Sequence, residues 1–364
     1  MQPQPQPQQR LASLDALRGF DMLWICGGHG VVEAAAALTG WSALELASAQ
    51  MRHAEWHGFT FWDLIFPLFL FLAGVSFPFS LASRRAHGHS EGRIRAHVVR
   101  RGLVLVALGV LYNVGPSLDF SDVRCASVLG RIGLAWMFAA LIAMRCGWRG
   151  QLGWTAALLL GYWALLTLVP IPGQGAPSLE PGRTLCDWLD RALLPGRLYR
   201  GVRDPEGILS TVPAIATALA GMLSGRALRA PIAPPRRVAG LFLVGLAALA
   251  VGGLWDLVLP INKNLWSSSF VLWTAGWSLL LLALFHAAID LGRLQRPAFL
   301  LVVIGSNALS AYLLWRFLDF PAAARSVVGA GQGGLTQLAA ALLALGLLWL
   351  VLLGLHRRRW FLRI

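Results

Sequence analysis

Residues 51–80 read MRHAEWHGFTFWDLIFPLFLFLAGVSFPFS, and their reading decides the fold class. Residues 66–79 are apolar except for Ser76, with small side chains at Ala73, Gly74 and Ser76. With its flanks, over residues 60–83, the run is long enough to cross the roughly 30 Å hydrocarbon core of a bilayer as a helix. Just before it stand His53, Glu55, Trp56, His57 and Asp63. Ionisable groups at the mouth of a span are costly and mark a functional path or site. Histidine exchanges a proton near neutrality, so His53 is the leading general base. Asp63 lies a turn inside the span and needs a partner; spacing leaves His53 and His57 both open.

Working outward, similar runs recur along all 364 residues. The chain is 57% hydrophobic and only 13% charged, against roughly 25% charged in soluble proteins. This predicts an all-α, polytopic integral membrane helical bundle of about ten transmembrane helices, with eleven as the alternative. The ten spans fall near residues 14–38, 60–83, 98–114, 127–144, 152–169, 208–223, 238–257, 268–289, 298–318 and 335–355. Residues 1–10, MQPQPQPQQR, read as a disordered polar tail. Residues 11–364 read as a single transmembrane domain.

The net charge is +14, and Lys263 is the only lysine. Arginines cluster after each even-numbered span: Arg84 to Arg101, Arg145 and Arg149, Arg226 to Arg237, Arg293 and Arg296, and Arg357 to Arg363. The positive-inside rule then places both termini in the cytoplasm. The charge follows topology, so nucleic acid is not an expected partner. The four cysteines show no metal-type spacing, and no metal is expected. A Cys125–Cys186 disulfide on the outer side is an open alternative.

Under this orientation the chemistry-bearing residues gather at the outer mouth. Asp204-Pro205-Glu206-Gly207 precedes the sixth span, as a helix start or as a pair of carboxylates facing a substrate. Asn262, Lys263 and Trp266 join spans seven and eight. A lone lysine among arginines is a compact point charge suited to a carboxylate or phosphate. Arg131 sits one turn into the fourth span, where snorkelling is its bland reading. Asn307, inside the ninth span, also reads as a bond between helices. Trp56 also reads as an aromatic-belt residue. No nucleotide-binding glycine loop or nucleophile elbow is present.

Several ordered motifs carry a resemblance: Ser13-Leu14-Asp15-Ala16-Leu17-Arg18-Gly19, His53-x-x-Trp56-x-Gly58, Asp63-Leu64-x-Phe66-Pro67, Arg131-Ile132-Gly133, Asp204-Pro205-Glu206-Gly207, Asn262-Lys263-x-Leu265-Trp266 and Gly305-x-Asn307-Ala308. Over residues 11–319 the chain resembles the bacterial relatives of heparan-α-glucosaminide N-acetyltransferase. That resemblance implies a transmembrane acyltransferase domain that takes acetyl from cytosolic acetyl-CoA. The acceptor it implies is extracytoplasmic, the amine of a glucosamine-type sugar or another cell-envelope glycan. The family's functional histidine falls on His53. The Leu-Asp-x-Leu-Arg-Gly element is shared with a broader acyltransferase group whose histidine lands on His29, leaving an O-acyltransferase of envelope glycans as an alternative.

The resemblance further implies the bacterial cytoplasmic (inner) membrane, with the site opening toward the periplasm. The catalytic candidates are therefore His53, Asp63 and His29. The substrate-binding candidates are Trp56, Arg131, Asp204, Glu206, Asn262, Lys263, Trp266 and Asn307. Acetyl-CoA is the expected donor, the lipid bilayer the surrounding partner, and a homodimer is left open. A glycan or lipid-precursor transporter without chemistry is the rival from another class.

Overall fold

A computed structural model describes residues 11–116, 118–329, 331 and 333–362. The expected tail at residues 1–10 and the basic residue Arg363 lie outside the described residues. The described chain is helical throughout: α1 Ala12–Leu23, α2 His29–Thr39, α3 Ser42–Gln50, α4 Phe61–Ala86, α5 Glu91–Val114, α6 Val128–Arg145, α7 Trp148–Leu168, α8 Leu185–Leu193, α9 Thr211–Arg229, α10 Pro234–Asp256, α11 Ser268–Phe285, α12 Gln295–Ser306, α13 Ala308–Phe317, α14 Phe320–Val328 and α15 Gly334–Arg357. It is a polytopic membrane bundle. Eight helical stretches among the described residues are long and apolar enough to cross a bilayer, and nine if the bent pair α12–α13 counts as one span. The remaining expected span lies within α5, whose first half carries Arg93, Arg95, Arg100 and Arg101. Each of the ten predicted segments thus contains a helix.

The first and ninth spans are broken. A wide turn at Trp24–Gly28 links α1 to α2, with Gly27 at φ +102°. A Cβ there would strike the indole of Trp315, so glycine is needed for both conformation and room. Between α12 and α13 the chain bends by 65° at Asn307.

Helix α4 is the central post. Its face packs on α9 where glycines let the backbones meet: a side chain at Gly221 would overlap the carbonyl of Phe71, and one at Gly225 that of Val75. Small residues spaced by four are how helices approach closely in lipid, where no hydrophobic force draws them together. The α1–α12 crossing uses Gly19 and Gly305 in the same way, against the carbonyls of Leu301 and Asp15.

Helix α4 also orients the bundle. It opens beside His53 and ends at Arg84 and Arg85. Arg84 and Arg101 share one cavity at that far end, and Arg85, Arg226 and Arg229 share another. Arginines of two of the clusters seen in the sequence, Arg84 to Arg101 and Arg226 to Arg237, are therefore gathered at the end of α4 opposite His53.

The long segment before α9 is also ordered around buried carboxylates. Asp190 in α8 is fully buried. It accepts from the Ile208 amide at 2.8 Å through one oxygen, while the other has no partner among the described residues. Burial pushes its carboxyl up to about 6. A carboxyl raised by folding binds its proton more tightly in the native state. Stability therefore falls as pH rises from about 4 to about 6. Asp190→Asn keeps the bond to Ile208 and should flatten that slope, adding on the order of 2 kcal/mol at neutral pH. Thermal melts across this window check it; an unchanged pH dependence would show that Asp190 is not its source.

Candidate active site

The site is built by two loops tied to each other. The Gly58 amide, in a turn at φ +108°, donates to the Ile261 carbonyl at 2.8 Å. The Thr60 hydroxyl donates to the Arg52 carbonyl at 2.6 Å, closing the first loop onto the start of α4. In the second loop Asn262 accepts the Leu265 amide at 2.9 Å, and its own amide donates to the Ser267 hydroxyl at 3.0 Å. This turn sets Trp266 at φ +52°, an unusual conformation for a tryptophan, held because its side chain is fully buried. The Trp266 indole donates to Thr217 at 3.1 Å and packs edge-on against Phe66.

Asp63 is where helix start and chemistry coincide. One oxygen accepts the Thr60 and Ala54 amides, each at 3.2 Å, capping α4. The other accepts from His53 Nδ1 at 2.8 Å. Spacing left His53 and His57 open; the fold pairs Asp63 with His53 and gives His57 to the Asn262 amide at 3.2 Å. Asp63 is 1% exposed and His53 51%, so a buried carboxylate orients a ring that still faces outward. With Nδ1 donating to Asp63, the lone pair of the neutral ring lies on Nε2.

Lys263 completes the group. Its Nζ lies 3.0 Å from each ring nitrogen of His53 and 3.6 Å from Asp63 Oδ1. Only Nε2 has a lone pair to offer, so the lysine bonds there. Burial draws the Lys263 ammonium below its usual range, and the carboxylates of Asp63 and Glu206 offset part of that.

His53 and Lys263 open onto a cavity of about 260 Å³ with Trp62, Glu206 and the paired rings of Tyr112 and Tyr312 in its wall. Those two tyrosines lie parallel with centroids 4.4 Å apart. Phe69, Leu129, Ile132 and Leu309 line this cavity and also a second one of about 370 Å³. The second is lined by Arg18, Arg84, Arg101 and His97, with Ser76 and Ser80. From Asp63 to Ser76 along α4 is about 20 Å at the helical rise.

The other candidates distribute as follows. His29 sits across Trp62 from His53, its ring 4.9 Å from that indole, and lines a separate cavity with Trp315 and Arg325. Trp56 lies under the Arg203 guanidinium at 4.4 Å and donates to the Leu179 carbonyl; it supports the loop from behind. Asp204 and Glu206 meet Arg124, which bonds Asp204 at 2.5 and 2.7 Å and also reaches Glu206. Arg131, fully buried, bonds Ser210 and lies 5.0 Å over the Trp266 ring. Asn307 is buried at the helix bend, away from the loops.

The open Cys125–Cys186 pairing is not formed. Both thiols are free, and Cys186 lies 3.2 Å from the Tyr162 hydroxyl, buried between α7 and α8. No group of three or more His, Cys, Asp or Glu side chains among the described residues is placed to hold a metal ion. Sequence reading missed Arg124, the tyrosine pair and the arginine-lined cavity. Arg124 could have been suspected as an isolated cation facing Asp204-x-Glu206; the rest is long-range.

Residues 10–121 match a family model described as a domain of unknown function, DUF5009. The chain is 28% identical to heparan-alpha-glucosaminide N-acetyltransferase of Homo sapiens over 335 residues, covering 74% of this chain and 50% of that protein. Against the Mus musculus protein of the same name the identity is 26%, covering 74% and 51%. The match thus spans about half the length of these curated relatives. The chain is a distant homologue of them.

Proposed function

We propose that this distant homologue of the glucosaminide N-acetyltransferases is itself a transmembrane acetyltransferase. It takes acetyl from acetyl-CoA on the arginine-rich, cytoplasmic side and delivers it to an amine at the His53 mouth, outside the cytoplasmic membrane. The observation that carries the reading is the pair of cavities sharing four wall residues, one ending at His53 and Lys263 with Asp63 behind them, the other at arginines. The arginines suit the phosphates of CoA. The span of about 20 Å between the two ends is that of an extended phosphopantetheine arm. The relatives' name supports a glucosamine-type acceptor, or a related amino sugar of the cell envelope.

In the reaction, Nε2 of His53 accepts a proton from the acceptor amine as its nitrogen attacks the thioester carbonyl. Asp63 holds the imidazole in the needed tautomer and stabilises the imidazolium that forms. The oxyanion that develops on the carbonyl lies within reach of the Lys263 ammonium. The carbon–sulfur bond then breaks, and the imidazolium returns its proton to the thiolate. The products are the N-acetylated acceptor, CoA thiol and neutral His53. In a two-step variant, Nε2 itself takes the acetyl group and passes it to the amine. In either case Lys263 must yield Nε2 to the reacting group.

The two broken spans also suit a transporter, since such breaks line transport sites. Labelled acetyl-CoA given to the purified chain with glucosamine separates the readings. Amide-linked label on the sugar supports the transferase; movement of an acceptor across vesicles without acetylation replaces it. Arg101→Ala is expected to raise KM for acetyl-CoA about tenfold with kcat little changed. An unaltered KM would place the donor's phosphates elsewhere.

A further inference from the structure

A further cavity, of about 560 Å³, takes no part in the mechanism above. Its wall includes Arg85, Arg226 and Arg229 together with the apolar Phe77, Leu81 and Met222. Among the described residues it shares no wall residue with the His53 cavity or with the one that holds Arg84 and Arg101. Helix α4 accounts for the separation. Positions 76, 80 and 84 line the Arg101 cavity, whereas 77, 81 and 85 line this one. Each set repeats every four residues, so the two form adjoining stripes of one helix. The buried Trp136 meets Phe77 edge-on at 5.7 Å and lies 4.5 Å under Arg101, standing between the two spaces.

The arginines stand together because α4 and α9 both end here, at Ala86 and Arg229, each with basic residues in its last turn. Cations suit the negative end of a helix dipole, which accounts for their sign but not for the cavity they border. Arg85 pairs with Glu91 at 2.7 Å, and Arg229 donates to the Pro78 carbonyl at 3.0 Å. Neither Arg226 nor Arg229 has a carboxylate partner among the described residues. The rim is therefore net positive. Away from it the wall turns apolar: at the helical rise Phe77 lies about 12 Å from Arg85 along α4, and Met222 about 10 Å from Arg229 along α9.

Guanidiniums recognise phosphate through paired, charge-assisted hydrogen bonds. An apolar wall beneath them favours hydrocarbon. A free nucleotide would use the first feature and leave the second bare; a phospholipid uses both. We propose that this cavity binds an anionic glycerophospholipid from the leaflet on the arginine side. Its phosphate diester meets Arg226 and Arg229 at the rim, with Arg85 beside them, and the upper part of an acyl chain lies along Leu81, Phe77 and Met222. The site selects a headgroup without an ammonium, because a choline or ethanolamine cation would face the same guanidiniums. Basic pockets between helices at a membrane face take such headgroups. The cavity also touches α6 at Ala143 and α7 at Gln151, so the bound lipid braces the α4–α9 pair against its neighbours. The inference is independent of the donor and of the acceptor.

The test gives the full chain, in neutral detergent, phosphatidylglycerol, phosphatidylcholine or glycerol 3-phosphate at matched concentrations. Binding is read by native mass spectrometry and stability by thermal melts. Phosphatidylglycerol should bind about tenfold or more tightly than phosphatidylcholine and raise the melting temperature. Glycerol 3-phosphate, which keeps the phosphate but lacks the chains, should do neither. Equal binding of the two lipids would mean that the arginines do not select, and overturns the site. An equal gain from glycerol 3-phosphate would make it a free-phosphate site and overturns the lipid.

An Arg226→Gln/Arg229→Gln chain should lose the preference for phosphatidylglycerol; a preference kept in full overturns the proposal. Should that chain not fold, Arg226→Gln alone decides, since this arginine is exposed and without a carboxylate partner among the described residues. It should reduce the preference about fivefold, and an unchanged preference again overturns the assignment. Saturating CoA should leave phosphatidylglycerol bound to the unaltered chain. Displacement of the lipid by CoA would make the cavity part of the donor's path instead.

Discussion

A His53→Ala chain, given labelled acetyl-CoA and glucosamine, is expected to transfer acetyl about 10²–10⁴-fold more slowly than the unaltered protein. The expectation follows from geometry. His53 is the ring that reaches the cavity while bonded at 2.8 Å to a buried carboxylate. Removing the imidazole leaves no other base at that wall. Lys263 lies 3.6 Å from the Asp63 carboxylate, and Glu206 is engaged by Arg124. His29→Ala is expected to stay within a few-fold, because that ring lines a different cavity on the far side of Trp62. The reverse pattern, with His29 essential and an ester as product, would move the chemistry to the alternative acyltransferase reading. Asp63→Asn should lower the rate by about 10²-fold or more, since an amide can present its N–H to Nδ1 and turn the lone pair away from the substrate. Near-normal turnover by His53→Ala would end the proposal.

The second large effect is on stability. Arg124→Ala is expected to cost about 3–5 kcal/mol, because it strands two buried carboxylates. Asp204 is 0% exposed and Glu206 8%. Burial alone would disfavour the Arg124 cation, yet the two carboxylates hold it above its ordinary range. Asp204 also accepts the Tyr199 and Glu206 amides at 3.1 and 2.9 Å, so the clamp fixes the segment leading into α9. The loss should appear as a lower melting temperature in detergent. It should also reduce activity, since Glu206 lies in the wall of the His53 cavity. Arg124→Lys should recover only part of the stability, because one ammonium cannot reproduce the forked bonds to Asp204 while also reaching Glu206. A melt within a degree of the unaltered chain would mean that these carboxylates are solvated or paired elsewhere.

How much could be read without the fold differs between parts of the molecule. The helical membrane bundle was legible from residues 66–79 and their counterparts, because crossing a bilayer imposes length and apolarity on each helix separately. α5 shows the limit of that rule: its arginines keep it from qualifying on hydropathy, yet it forms a 24-residue helix against α6. That His53, Asp63 and Lys263 stand as ionisable groups at the ends of spans was also legible, since charge near a span is rare enough to be informative.

Hydropathy and spacing are local properties, so the chain by itself determined where it enters and leaves the bilayer and which residues are chemically out of place there. Partner choice is not local. His53 and Lys263 are 210 positions apart, and Arg124 and Asp204 are 80 apart. Only the closed bundle decided that Asp63 faces His53 rather than His57, that Arg124 holds Asp204 and Glu206, and that two cavities share a wall of Phe69, Leu129, Ile132 and Leu309. Each depends on which glycine-lined helix faces come together, as Gly19 does with Gly305 and Gly221 with Phe71. Those contacts carry no signature along the sequence until the backbones touch.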